Sequence, residues 1–210
     1  MKAFRVIRWI PIVSILLFIV VVAILGLITP GYNHLPHTIS RLSIGKYGTI
    51  ANANLIQLAF GGLILGIQLA FSLRKPEVRF TVLPFFVLAS MSLLGAAYFP
   101  TDIKMGDVPV ALTNLSTTGL MHTLSVVSFI ALCPFTIFLM VKAMRTDPSW
   151  QDVARWTVAM AMGSITLSGV WIVFYYYRFY FEYRGMFQKG IALWTLLWML
   201  LIALKIAREK

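Results

Sequence analysis

Six stretches of this chain are apolar for about twenty residues each, and that recurrence constrains the fold more than any other feature. A helix needs about 20 residues to cross the ~30 Å hydrocarbon core of a bilayer. The stretches lie near residues 9–29, 50–73, 80–99, 118–141, 154–177 and 188–206. In lipid, backbone N–H and C=O groups must be paired within the segment itself, so each crossing is predicted to be an α-helix. What remains between the stretches is too short for a soluble domain. The expected fold is therefore all-α, residues 1–210 forming a single bundle of six transmembrane helices. Charge content agrees: 12% of the 210 residues are charged, about half the ~25% usual in soluble domains. The first stretch is expected to remain as a helix. Its apolar core exceeds the roughly 7–15 residues of a signal-peptide h-region, and no small-x-small cleavage site stands out after it.

The net charge of +11 does not point to nucleic acid, and none is expected as a partner. The basic residues stand in short clusters beside apolar runs, where they act as orientation signals and contacts for anionic lipid. Twelve of the 18 Lys and Arg residues flank one side, from Lys2 and Arg74 to Lys142 and Lys205. The other six, Arg41, Lys46, Lys104, Arg178, Arg184 and Lys189, flank the opposite side. The positive-inside rule then predicts a multi-pass protein of the inner (plasma) membrane with both termini cytoplasmic. Cys133 is the single cysteine, which excludes an intrachain disulfide and a Cys-rich metal motif. No cofactor is expected.

This orientation gathers the polar chemistry on one face. The segment from Gly31 to Gly48 lies outside, with His34 and His37; so does the segment from Pro100 to Thr117, with Asp102. His122 falls about one turn inside the fourth stretch, on a stripe with Thr118 and Ser125. An ionisable residue within a span normally faces the bundle or a wet cavity and is a functional candidate by default. The fifth stretch exits through several tyrosines with Arg178, Glu182 and Arg184. The tyrosines fit the headgroup zone without further explanation. On the second stretch, Asn54, Gln57, Gly61 and Gln68 share a face. Their amides line an outward cavity in one reading and bond a neighbouring helix in the other. Gly62 and Gly66 form a GxxxG pattern, which permits close helix approach within the chain or to a second copy, a homo-oligomer.

Leu35 to Ile44 is predicted to form a short interfacial helix with Pro36 in its first turn. Leu35, Ile39 and Leu42 would share its apolar face; His37, Ser40 and Arg41 would share the polar one.

Three motifs carry a family resemblance: His37-Thr38-Ile39-Ser40-Arg41-Leu42 followed by Gly45 and Gly48; Phe99-Pro100-Thr101-Asp102 with Gly119-Leu120-Met121-His122; and Gly185-Met186-Phe187-Gln188-Lys189 before the last span. In this order they resemble the prokaryotic six-helix membrane family called domain of unknown function 998, distantly Frag1/DRAM-like, some of whose relatives are linked to lipid remodelling. The resemblance spans nearly the whole chain and implies attention to Ser40, Asp102 and His122. The family often has an acidic residue where this chain has Arg41.

These residue types suit acyl transfer or hydrolysis on membrane lipids or lipid-linked substrates. Ser40 is the candidate nucleophile and His122 the base, with Asp102 expected to orient the imidazole. His37, Arg41, Asn54, Gln57, Arg178, Glu182 and Arg184 are the candidate substrate-binding groups, the arginines suited to a phosphate or carboxylate. A zinc variant would use His34, His37, His122 and Asp102. The alternative is a non-catalytic binder of lipid or small solutes, a sensor or a transporter. No inverted repeat or midplane charge supports transport.

Overall fold

In the computed structural model of the chain, the described residues are 6–74, 76–102, 112–177 and 181–208. Six long helices run through them: α1 (Ile10–Ile28), α2 (Gly48–Ser72), α3 (Pro76–Tyr98), α4 (Thr117–Thr146), α5 (Gln151–Tyr177) and α6 (Arg184–Arg208). No strand occurs among the described residues. The apolar runs mark every helix, although five of them begin up to about a turn earlier than the runs do. Helices α1, α2, α4 and α6 contain stretches long and apolar enough to cross a membrane, as does Pro148–Val173 through α5. In α3 the apolar stretch is Val82–Tyr98, shorter than the others.

Each helix packs on the next in sequence, and α6 closes the bundle by touching α1 and α2 as well as α5. Outward faces carry exposed Val20 and Ile24 on α1, Phe60 and Phe71 on α2, Phe135 and Phe138 on α4, and Leu193 on α6. Apolar surface spread around the whole bundle is what a lipid environment demands. One end gathers the chain termini: Gln68 of α2 donates to the carbonyl of Ile7, and Lys205 of α6 pairs with Asp152 of α5 at 2.9 Å. Close by, Asp147 accepts from the Arg74 N–H at 2.9 Å and caps the turn Pro148–Trp150 through Ser149. The tightest core lies toward this end, where Leu69, Ile137, Met140, Met144, Trp150 and Ile202 are fully buried.

The GxxxG pattern is used inside the chain. A Cβ on Gly66 would strike the Phe86 side chain of α3, and one on Gly62 would touch Met199 of α6 and Ser90 of α3. A second copy meeting these glycines would have to displace those side chains.

The polar stripe of α2 faces α1. Asn54 Nδ2 donates to the Phe18 carbonyl at 3.2 Å. Gln57 Nε2 donates to the Ser14 carbonyl and to Asn54 Oδ1, and its Oε1 lies 2.7 Å from the Ser14 hydroxyl. Asn54 and Gln57 therefore join helices. Helical periodicity placed them on one face, and packing put α1 against it.

The segment between α1 and α2 also departs from expectation. It is not a ten-residue α-helix but a turn followed by a 3₁₀ helix, Ile39–Ile44. Gly31 starts the reversal with φ +70, a value that favours glycine. Asn33 then closes a turn: its carbonyl accepts from the His37 N–H, its side chain from the Leu35 N–H, and its own N–H donates to His37 Nδ1 at 2.8 Å. These local bonds compete with an α-helix start at Leu35, and extended Thr38 defers the helix to Ile39. Leu35 is left exposed while Leu42 is fully buried.

Candidate functional site

At the end of the bundle opposite the termini, the three sequence motifs meet. His122, one turn into α4, is buried. Its Nδ1 lies 2.9 Å from the Phe99 carbonyl and its Nε2 2.9 Å from Ser40 Oγ. A carbonyl oxygen only accepts, so Nδ1 carries the proton. In the neutral ring Nε2 is then the acceptor for the Ser40 hydroxyl. A hydroxyl donating to an imidazole whose far nitrogen is oriented by a third group is the arrangement of an activated nucleophile. The backbone carbonyl of Phe99 here takes the orienting position that was expected of Asp102.

Asp102 does something else. Its Oδ2 accepts from the Ser116 N–H at 2.6 Å and its Oδ1 from the Ser116 hydroxyl at 2.7 Å. Ser116 caps α4 by accepting from the Gly119 N–H, and the Asp102 carboxylate sits where a Cβ of residue 119 would be. A carboxylate at a helix N-terminus is favoured by the unpaired N–H groups and the helix dipole. The interaction anchors the segment leaving α3 onto α4, and with it the Phe99 carbonyl onto His122.

The 3₁₀ helix bearing Ser40 is held by the start of α6. The absence of a side chain on Gly185 lets the His37 backbone lie directly against it. The Met186 N–H donates to the Leu35 carbonyl at 3.0 Å, and the Ile39 N–H donates to Gln188 Oε1 at 2.9 Å. Lys189 Nζ donates to the carbonyls of His34, His37 and Gly185. Tyr32, T-shaped against His34 and His37, donates through its hydroxyl to the carbonyls of His37 or Thr38. Burial pushes the Tyr32 phenol well above the usual tyrosine range despite the opposing charge of Arg41, so it stays a donor.

A pocket of about 90 Å³ opens over this pair, lined by residues that include His37, Ser40, Arg41, Asp102, His122 and Arg184. Six of the predicted site residues thus converge. Glu182 does not: it is exposed on the turn Phe181–Tyr183. Arg178 lies outside the described residues. His34 stacks over Gly26, away from His122. Among the described residues no three His, Cys, Asp or Glu side chains stand close enough to share a metal ion, and the four proposed zinc ligands are not assembled.

Sequence reasoning missed the Phe99 carbonyl, Gln188 and Lys189 as functional groups. The last two were visible as a motif without a role. Phe99 acts through a backbone atom, which no residue type reports.

No curated protein and no solved structure matches the chain. A family model covers it nearly from end to end, over residues 12–205. The chain belongs to the family described as Protein of unknown function (DUF998).

Proposed function

We propose that this is a six-span plasma-membrane protein that transfers or hydrolyses the acyl group of a lipid or lipid-linked ester at the non-cytoplasmic face, with both termini inside. The single observation that carries the reading is the Ser40 Oγ to His122 Nε2 hydrogen bond, with Nδ1 held by the Phe99 carbonyl. The two-to-one excess of basic residues toward the termini supports the orientation.

In the proposed reaction Ser40 Oγ attacks the ester carbonyl and its proton passes to His122 Nε2. The imidazolium is stabilised through Nδ1–H by the Phe99 carbonyl and by the nearby negative charge of Asp102. Collapse of the tetrahedral intermediate breaks the ester C–O bond, and Nε2–H protonates the leaving oxygen. The acyl group is left on Ser40. Water or an acceptor hydroxyl, deprotonated by Nε2, then releases it. Gln188 suits the oxyanion. Its oxygen is committed to Ile39, which leaves the amide N–H₂ as a donor beside Ser40. Arg41 and Arg184, on the pocket wall, suit an anionic headgroup.

The test is covalent labelling. Purified protein in lipid nanodiscs is treated with a fluorophosphonate, and the adduct is located by mass spectrometry. Labelling at Ser40 that disappears in His122→Ala supports the reading. If Ser40 stays unlabelled, or labels equally without His122, the bond is a structural tie between loop and bundle, and the non-catalytic lipid-binding alternative takes its place. Reporter fusions at either terminus check the orientation.

A further inference from the structure

The pocket over Ser40 borders further space inside the bundle. It shares Ser40, Gln188 and Val126 with a second cavity of about 70 Å³. That cavity is apolar, walled by Phe18, Leu55, Leu58, Leu93, Phe129 and Leu196. It in turn shares Leu58, Leu93 and Phe129 with a third cavity of about 30 Å³, bounded by Gly62, Phe86, Cys133 and Trp198. Both inner spaces exceed the roughly 10–15 Å³ that a single water needs, and their apolar lining favours apolar guests. Three spaces therefore adjoin in order: a polar mouth, an apolar throat and an apolar far end. Ser40 stands at the junction of the first two.

We propose that the throat and the far end form an acyl-chain channel, and that Gly62 sets its depth. The inference rests on the Ser40 reading above and adds the substrate class: an ester of a long, membrane-length fatty acid whose carbonyl stops at Ser40 while its tail runs down the bundle. Length supports this. Cys133, on the wall of the far end, lies eleven residues beyond His122 on α4, about 16 Å at ~1.5 Å per residue. One leaflet is about 15 Å deep, half the ~30 Å hydrocarbon core. A tail leaving Ser40 would thus exchange one leaflet of lipid for an equal depth of protein. Gly62 is the point where added volume stops the tail. A Cβ there meets Met199 Cε at 3.5 Å and Ser90 Oγ at 3.6 Å, ordinary contacts, so alanine fits and anything larger fills the far end.

The experiment compares Ser40 acylation by p-nitrophenyl esters of butanoate, octanoate, dodecanoate and hexadecanoate. It uses the full chain in nanodiscs, reading the p-nitrophenol burst and the mass of the acyl adduct. Wild type is expected to favour the long esters. Each buried methylene is worth about 0.8 kcal/mol, or roughly fourfold. Gly62→Leu, excluding two or three methylenes, should lower the hexadecanoate-to-butanoate rate ratio by roughly 15- to 60-fold. Gly62→Ala should lower it roughly fourfold, and it serves if the leucine variant does not fold. Acylation of Ser40 at rates independent of length, or ratios unchanged in both variants, overturns the channel and leaves the Ser40 chemistry standing. Absence of any acyl adduct on wild-type Ser40 overturns both.

Discussion

Gly185→Ala places a methyl group on the backbone of His37. The new Cβ would overlap the carbonyl carbon, oxygen and nitrogen of that residue, and a backbone cannot rotate aside as a side chain can. Either the segment carrying Ser40 lifts or the first turn of α6 shifts. Forced overpacking costs about 1–3 kcal/mol. Losing the bond from the Met186 N–H to the Leu35 carbonyl adds about 1 kcal/mol. The expected destabilisation is about 2–4 kcal/mol. The consequence for chemistry is larger. Ile39 is tied to Gln188 in the same turn of α6 and Ser40 follows it, so the displacement reaches Oγ. Misplacing a reacting group by about 1 Å costs roughly 100-fold. The assay is the rate of fluorophosphonate labelling of Ser40, with thermal unfolding measured on the same nanodisc sample. Gly190→Ala is the internal control: it lies on the same helix, with nothing within 4 Å of an added Cβ, and should behave as wild type. Wild-type stability and labelling in Gly185→Ala would refute the claim that close packing of α6 on His37 positions Ser40.

Two further outcomes follow from the anchors. Asp102→Asn replaces an acceptor-only carboxylate facing two Ser116 donors with a group that presents one acceptor. It should destabilise the protein by about 1–2 kcal/mol and slow Ser40 labelling without abolishing it, whereas His122→Ala abolishes it; equal loss in both would return Asp102 to direct contact with the reaction. At the opposite end, burial disfavours the Asp147 charge, but the Arg74 N–H, the Ser149 hydroxyl and N–H, and the Arg74 charge outweigh it and hold the carboxyl below the usual range. A depressed folded-state pKa contributes stability above the unfolded value of about 3.9 and loses it as pH falls through the folded one. Acid titration of the unfolding temperature should therefore show a loss below about pH 4 that is smaller in Asp147→Asn; identical acid profiles would remove Asp147 as its source.

The helices were legible because apolar length is a one-dimensional property, and each observed helix contains or closely matches an apolar run. His122 and Ser40 were legible as residue types that a span and its neighbouring loop do not need for packing. The partner of each was not. Asp102 carries the chemistry to orient a histidine, yet the N-terminus of α4 competes for the same carboxylate and holds it through two bonds. Phe99 supplies a carbonyl that every residue possesses. Asn54 and Gln57 shared a helical face as periodicity predicted, and α1 turned that face into a seam between helices. The expected helix at Leu35 gave way to the turn that Asn33 and His37 close between them.

Sequence alone determined that this chain folds as apolar helices, because unpaired backbone in lipid leaves no other solution for runs of that length. It also brought Ser40, Asp102 and His122 to one end, since helices that alternate in direction sort the connecting segments by parity. The tertiary structure decided which atoms touch. Ser40 meets His122 only because Gly185, Gln188 and Lys189, nearly 150 residues further along the chain, hold its short helix in place, and the Asp102–Ser116 anchor fixes the carbonyl that orients the ring. Such contacts depend on close packing of distant segments at the scale of a single methyl group, and the periodicity of any one segment does not contain them.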